Sequence, residues 1–321
     1  MDVASRSDIR RIVSCLDPSV LGLSSIRVES LRRLGVGQGN INYLLVLSGR
    51  RFVVRVNLDP HVPEKSRVEY DRLRAIEGLG LAPRAYFVSD DPAFLIIDYA
   101  DGKPFRCGQR SFSDSTVEDL GSLLARIHSF STVLDADDPS YRSYANAARE
   151  YLDAINTFTN NEFSSDLIRF HEAIVSFLPS DHDHPITLIH GDVCPQNLIF
   201  GEELRLIDWE SVALCDPARD VANVIIDFGL GSRIGLFLES YSRIRSDPTI
   251  LERARVYEVL IRYHYVLWEA RRVFEIRTRA LPEEYLVGER ADRHVNEAKR
   301  QLRALRRIVE VPLLDLDGLL G

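Results

Sequence analysis

The stretch from His190 to Glu210, HGDVCPQNLIFGEELRLIDWE, constrains this chain more than any other. An apolar, β-prone run, Ile186-Thr187-Leu188-Ile189, leads into it. After Asn197 come Leu198-Ile199-Phe200, the turn Gly201-Glu202-Glu203, and Leu204-Arg205-Leu206-Ile207, which ends at Asp208. Two short apolar runs around a glycine-acid turn predict a hairpin preceded by a loop. The hairpin returns the chain, so Asp208 is expected beside Asn197 while Asp192 stays in the preceding loop. Core packing does not ask for two carboxylates and an amide at such positions. Two oxygen ligands suit a divalent cation, and Mg²⁺ in particular takes one or two carboxylates and leaves room for phosphates and water. A further carboxylate nearby is placed to accept a proton.

His190-Gly191-Asp192 followed by Asn197 resembles the catalytic loop of the kinase fold, in the H-G-D-x-x-x-x-N form of the aminoglycoside phosphotransferase and choline kinase-like family. Ile207-Asp208-Trp209-Glu210 resembles that family's metal-binding motif, where protein kinases show D-F-G. The resemblance implies Asp192 as catalytic base, Asn197 and Asp208 as Mg²⁺ ligands, and His190 and Glu210 in support, with Glu210 supplementing the metal shell. It implies an α+β, two-lobed protein-kinase-like fold with a small antiparallel β-rich N-lobe and a larger, mainly helical C-lobe. The lobes are expected at 1–98 and 105–321, joined by a hinge at 99–104.

The 321 residues, 45% of them hydrophobic, suffice for a sizeable core and two such lobes. A net charge of −8 with both signs mixed throughout gives no electrostatic footprint for nucleic acid or an anionic membrane. Cys15, Cys107, Cys194 and Cys215 show no metal or disulfide spacing and read as reduced thiols of a cytoplasmic protein. The first twenty residues lack the apolar core of a signal peptide, and no run approaches the length of a membrane span.

Ile9, Ile12, Val13 and Leu16 predict a helix over 7–16 capped by Ser7. Strand-like runs follow at 25–34, 41–48 and 51–57, with the glycine-rich segment Gly35-Val36-Gly37-Gln38-Gly39-Asn40-Ile41-Asn42 between the first two. Closely spaced glycines let backbone N–H groups approach phosphate oxygens. The family's nucleotide-covering loop is similar, which implies nucleotide contacts at Gly37, Gly39 and Asn42. In the third run Phe52, Val54 and Val56 share one face, and Arg55 lies on the other among apolar neighbours. A charge there needs a partner, and Glu69, on the apolar face of a helix expected over 63–79, supplies one. By resemblance Arg55 stands where kinases have the phosphate-binding lysine, and Glu69 where they have its partner. An edge-strand salt bridge is the plainer reading of the same pair.

Strands are expected at 84–89 and 93–99. The resemblance lodges adenine on the backbone of Asp98 and Ala100. Beyond residue 113 the pattern is helical apart from the hairpin: 115–130, 141–156, 163–178, 231–246, 250–277 and 282–309, with Pro217 opening another helix. Asp220 matches the family acid that fixes the catalytic loop, or is an exposed first-turn acid. Tyr263, His264, Trp268 and Glu269 read either as a core stripe or as an acceptor site, with aromatic faces and an acid suited to an amine. The implied activity is transfer of the γ-phosphoryl group of ATP or GTP to a hydroxyl of a small acceptor of aminoglycoside, amino alcohol, sugar or amino acid type. A non-catalytic nucleotide-binding protein of the same fold is the alternative. A protein kinase is disfavoured by HGD and DWE in place of HRD and DFG.

Overall fold

The computed structural model describes residues 5–36, 40–57, 64–91, 93–105, 112–134, 140–180, 185–281, 289–310 and 314–320. They form two compact units: Met1–Leu134 with His190–Val212 and Glu239–Ile244, and Asp135–Ile189 with Ala213–Leu238 and Arg245–Gly321. Packing therefore assigns the 190–212 stretch to the first unit. The expected lobes at 1–98 and 105–321 would have placed it in the second.

The first unit is built on an antiparallel sheet of β1 (Val28–Val36), β2 (Asn40–Leu47), β3 (Arg50–Asn57), β4 (Ala85–Asp90) and β5 (Ala93–Asp98), in the order β1-β2-β3-β5-β4. The β2–β3 hairpin turns on Ser48 and Gly49, both at positive φ (47° and 80°), the conformation that a right-twisted two-residue hairpin needs. Strand β3 is central, so Arg55 does not form an edge-strand salt bridge. Phe52, Val54 and Val56 are fully buried on one face of β3, each stabilising the fold by about 1.5–3 kcal/mol. Helix α1 (Arg6–Ser14) is capped two residues earlier than Ser7, because Ser5 and Asp8 form a reciprocal capping box. Helix α2 (Lys65–Ala75) packs on β4 and buries Leu73 and Glu69.

A three-stranded sheet completes this unit, in the order β6 (Lys103–Pro104), β8 (Leu198–Phe200), β9 (Leu204–Leu206), and β9 packs on helix α3 (Asp114–His128). The expected hairpin is thus β8–β9, with Leu198 opposite Leu206. Gly102 has φ 146°, and a Cβ on it would lie 2.6 Å from the Phe200 carbonyl oxygen, so only glycine fits at the end of the 99–102 segment.

The second unit is helical. The 29-residue α9 (Ile250–Thr278) runs through it and packs against α4 (Tyr141–Ala147), α5 (Arg149–Phe158), α6 (Ser164–Phe177) and α7 (Ala218–Asp227). Helices α10 (Ala291–Leu305) and α11 (Leu316–Leu320) also pack on α9. The helix expected over 141–156 is two helices meeting at Ala148, and α10 starts at 291; residues 282–288 of the expected segment lie outside the described residues. Helix α8 spans Ile234–Ser242. Strands β7 (Thr187–Ile189) and β10 (Ala213–Cys215) pair with Ile189 opposite Ala213, bringing together the two ends of the 190–212 stretch. Among the described residues no helix is long and apolar enough to cross a membrane.

Candidate active site

His190 organises the loop. It is fully buried, and its ring meets Trp209 at 4.6 Å between centroids. The Asp192 backbone N–H donates to His190 Nδ1 at 3.2 Å, so Nδ1 is the acceptor and Nε2 carries the hydrogen that reaches the Ile207 carbonyl oxygen at 3.1 Å. One imidazole thereby connects the backbone of the Asp192 loop to the residue before Asp208. Gly191, at φ 85°, has the Ser211 carbonyl oxygen 2.3 Å from where a Cβ would stand, which accounts for the glycine of H-G-D.

Asn197 ends a short 3₁₀ turn, Pro195–Asn197, and is buried. Its Nδ2 donates to the Asp192 carboxylate at 2.9 Å and to the Asp192 carbonyl at 3.0 Å. Both amide hydrogens are thus committed to Asp192, leaving the amide oxygen as the end suited to a cation. The Ile207 N–H donates to the Asn197 carbonyl at 2.9 Å, so the hairpin does return the chain beside Asn197. Asp208 itself takes φ 67°, a left-handed conformation that costs a non-glycine residue about 1–3 kcal/mol and that concentrates at functional sites.

Arg55 faces Asp208. Its Nη1 donates to Glu69 Oε1 and to Asp208 Oδ1, both at 2.8 Å, with Glu210 Oε2 at 3.8 Å. Burial opposes the charge on Arg55, but the carboxylates of Glu69, Asp208 and Glu210 raise its pKa further. Burial pushes the Glu69 carboxyl up to about 7 against the pull of Arg55. Burial likewise raises the pKa of Asp192; His190 and the Asn197 bond oppose it and Asp208 adds to it. A carboxyl raised this way is a better proton acceptor than an ordinary aspartate.

Two buried polar atoms here have no hydrogen-bond partner among the described residues, Arg55 Nε and Asn42 Oδ1, and Asn42 lies directly across from Arg55 in the β2–β3 register. A buried guanidinium N–H without an acceptor fits a phosphate oxygen. Among the described residues there is no cluster of three or more His, Cys, Asp or Glu that would cage a metal. The donor set of Asp208 and the Asn197 amide oxygen fits Mg²⁺, which completes its shell with phosphates and water.

Other expected positions fall as follows. Gly37 and Gly39 lie outside the described residues. Asp98 is engaged by its own neighbours: its carboxylate accepts from the Tyr86 hydroxyl at 2.8 Å and the Arg84 N–H at 3.3 Å, and its backbone N–H donates to the Arg84 carbonyl. Ala100 is half-buried. Asp220 is fully buried in the first turn of α7, which removes its reading as an exposed acid.

Tyr263, Trp268 and Glu269 do not form one site. Tyr263 is fully buried with its hydroxyl on His171 Nδ1 at 2.7 Å, whereas Trp268 and Glu269 meet His294, the latter at 2.5 Å. Residues five apart on a helix point about 140° away from each other, so Tyr263 belongs to the core stripe. Sequence reasoning missed Asn40, Lys65 and Arg72, all of which contact Glu210. Lys65 and Arg72 flank Glu69 at helical spacing, the one signal that was available.

The arginine-glutamate pair of the β-sheet and the loop-hairpin that presents Asp192, Asn197 and Asp208 thus belong to one unit, joined by the Arg55–Asp208 bond. Residues 30–257 match the family model described as "Phosphotransferase enzyme family", and the chain belongs to that family. Solved structures similar to it include the choline kinase LicA from Streptococcus pneumoniae, with TM-score 0.66 and 20% identity over 94% of this chain and 98% of that one. The gentamicin complex of APH(2")-IIa gives TM-score 0.65 and 18% identity over 94% and 97%. The choline kinase from Cryptosporidium parvum gives 0.64 and 16% over 99% and 100%. At such identities they show the fold, which is protein-kinase-like. Among curated proteins, "Acyl-CoA dehydrogenase family member 10" of Mus musculus is 26% identical over 264 residues; the match takes in 74% of this chain and 24% of that protein's length.

Proposed function

We propose that this protein transfers the γ-phosphoryl group of ATP or GTP to a hydroxyl of a small acceptor with the assistance of Mg²⁺. The observation that carries the reading is the Asp192 carboxylate, held by Asn197 Nδ2 at 2.9 Å and raised in pKa, on the same loop-hairpin that sets Asp208 against Arg55. Asp192 orients the acceptor hydroxyl and takes its proton as the new P–O bond forms and the nucleoside diphosphate leaves. Arg55 steadies the phosphates through its Nε and the rest of its fork, and Glu69 holds Arg55 in place. Asn197 and Asp208 would hold Mg²⁺, whose charge, when bound, offsets that of the phosphates. Phosphoryl transfer asks for placement and charge stabilisation more than covalent chemistry, which suits this set of residues.

The same reading gives Gly37, Gly39, Asn42 and the backbone of Asp98 and Ala100 to the nucleotide, and Asp220 to the support of the catalytic loop. Of the acceptor residues it keeps Trp268 and Glu269, whose side chains are half-buried. The choline kinases and aminoglycoside-binding APH(2")-IIa among the similar structures make cationic amino alcohols and aminoglycosides the first acceptors to try. A cytoplasmic location accords with four cysteines that show no disulfide spacing in the sequence. The test is nucleotide consumption with Mg²⁺ across a panel of small alcohols, with ATP and GTP in parallel. Acceptor-dependent turnover names the substrate class and the nucleotide; turnover that no alcohol stimulates, alongside phosphorylation of a protein substrate, would refute the small-molecule reading.

A further inference from the structure

Glu210 ties together three elements of the first unit. Lys65, Glu69 and Arg72 stand at i, i+4 and i+7 of α2 and so share one face of that helix. Glu69 holds Arg55, while the other two reach Glu210: Lys65 Nζ lies 3.1 Å from its Oε2, and Arg72 Nη1 donates to its backbone carbonyl at 2.9 Å. Asn40, the buried first residue of β2, donates its Nδ2 to the same Oε2 at 3.0 Å. Two donors therefore converge on one carboxylate oxygen, Oε2.

We propose that Glu210 is a positioning residue, a latch that fastens α2 and the start of β2 to the Asp208 turn and so keeps Glu69 and Asp208 on Arg55. The geometry is specific to that role: the face of α2 that carries Glu69 is pinned on both sides, one turn before by Lys65 and nearly one turn after by Arg72. Without the Glu210 side chain the Arg72–carbonyl bond alone pins that face of α2, so α2 more readily withdraws Glu69, and Arg55 loses part of the geometry that directs it to phosphate. The functional consequence rests on the phosphotransferase reading above; the latch itself rests on the contacts.

Glu210→Ala, Lys65→Met and the double variant test it by two readouts, amide hydrogen exchange over α2 and steady-state kinetics, with Mn²⁺ binding to the protein and a non-hydrolysable ATP analogue followed by electron paramagnetic resonance. Glu210→Gln, which keeps the shape of the side chain, serves if Glu210→Ala does not fold. The latch predicts that Glu210→Ala and Lys65→Met each release protection in α2 and lower kcat/KM, by up to about 100-fold for a displaced group. It predicts that the double variant is no worse than Glu210→Ala, because both remove the same contact. Loss of Mn²⁺ binding in Glu210→Ala with α2 exchange unchanged, and no effect of Lys65→Met, would make Glu210 a metal ligand and overturn the proposal. If the wild type transfers no phosphate at all, the exchange measurement still decides the latch while the proposed reaction falls.

Discussion

Arg55 in the first unit and Arg253 in the second each stand between two carboxylates, and they use their guanidinium groups differently. Arg253 spends every nitrogen: Nε and Nη2 bind Asp216 at 2.9 and 3.2 Å, Nη2 and Nη1 bind Asp247 at 2.8 and 3.2 Å, and Nη1 also meets the Thr249 hydroxyl. Asp216 Oδ1 also accepts the Ala218 N–H at 2.9 Å, so this arginine fixes the start of α7 to the start of α9. Arg55 instead shares its single Nη1 between Glu69 and Asp208 and leaves a buried Nε without a partner. A closed fork is a structural clamp; an open one, buried and permanently charged, suits the ligand with oxygen acceptors that the proposed function gives it. The backbone agrees, since Asp208 opposite Arg55 sits at positive φ while neither partner of Arg253 does.

That contrast yields effects of graded size. The largest belongs to Asp192→Asn, which retains the Asn197 bond but not the base: kcat should fall by about 10²- to 10⁴-fold with nucleotide affinity retained, read by steady-state kinetics and calorimetry. The raised carboxyl also sets signs. In the wild type the base form is lost as pH falls, with an acid limb above the ordinary aspartate value of about 3.9. Because the folded state holds this proton more tightly than the unfolded state, ionisation costs stability as pH rises, so Asp192→Asn should raise the melting temperature at neutral pH.

Next comes Glu69→Leu. Removing one partner of a buried ion pair costs about 3–5 kcal/mol, and denaturant unfolding should show it together with a rise in nucleotide KM. A smaller effect separates the closed clamp by pH. Burial works to raise Asp247, but its bonds from Arg253 hold its carboxyl below the usual aspartate range. Its contribution to stability is therefore present above the unfolded value of about 3.9 and lost as pH falls through the lower folded value. In Arg253→Met the melting temperature should drop at neutral pH and lose part of its acid dependence, which a pH series of thermal melts would detect.

The open fork was more legible in the sequence than the contacts that support it. Period-two burial in β3 isolated Arg55, helical spacing placed Glu69 on the buried face of α2, and the turn Gly201-Glu202-Glu203 returned Asp208 to Asn197. Each of these is a local pattern. The Asn40–Glu210 bond spans 170 positions and the Arg72–Glu210 bond 138, and no local period announces either. The aromatic run 263–269 left two readings open for a related reason: composition gathers Tyr263, His264, Trp268 and Glu269 in one string, and the helix then turns them toward His171, Tyr144 and His294. The cap of α1 was displaced because Ser5 and Ser7 are both competent and only Ser5 has an acid three residues on.

Calorimetric titration of a non-hydrolysable ATP analogue with Mg²⁺ into the wild type, Arg55→Met and Arg253→Met tests the central claim most directly. The open fork predicts that Arg55→Met weakens nucleotide binding by about 2–5 kcal/mol, as truncation of a desolvated charge partner does, while folded Arg253→Met binds as the wild type does. Undiminished binding by Arg55→Met, or an equal loss in both variants, would contradict it.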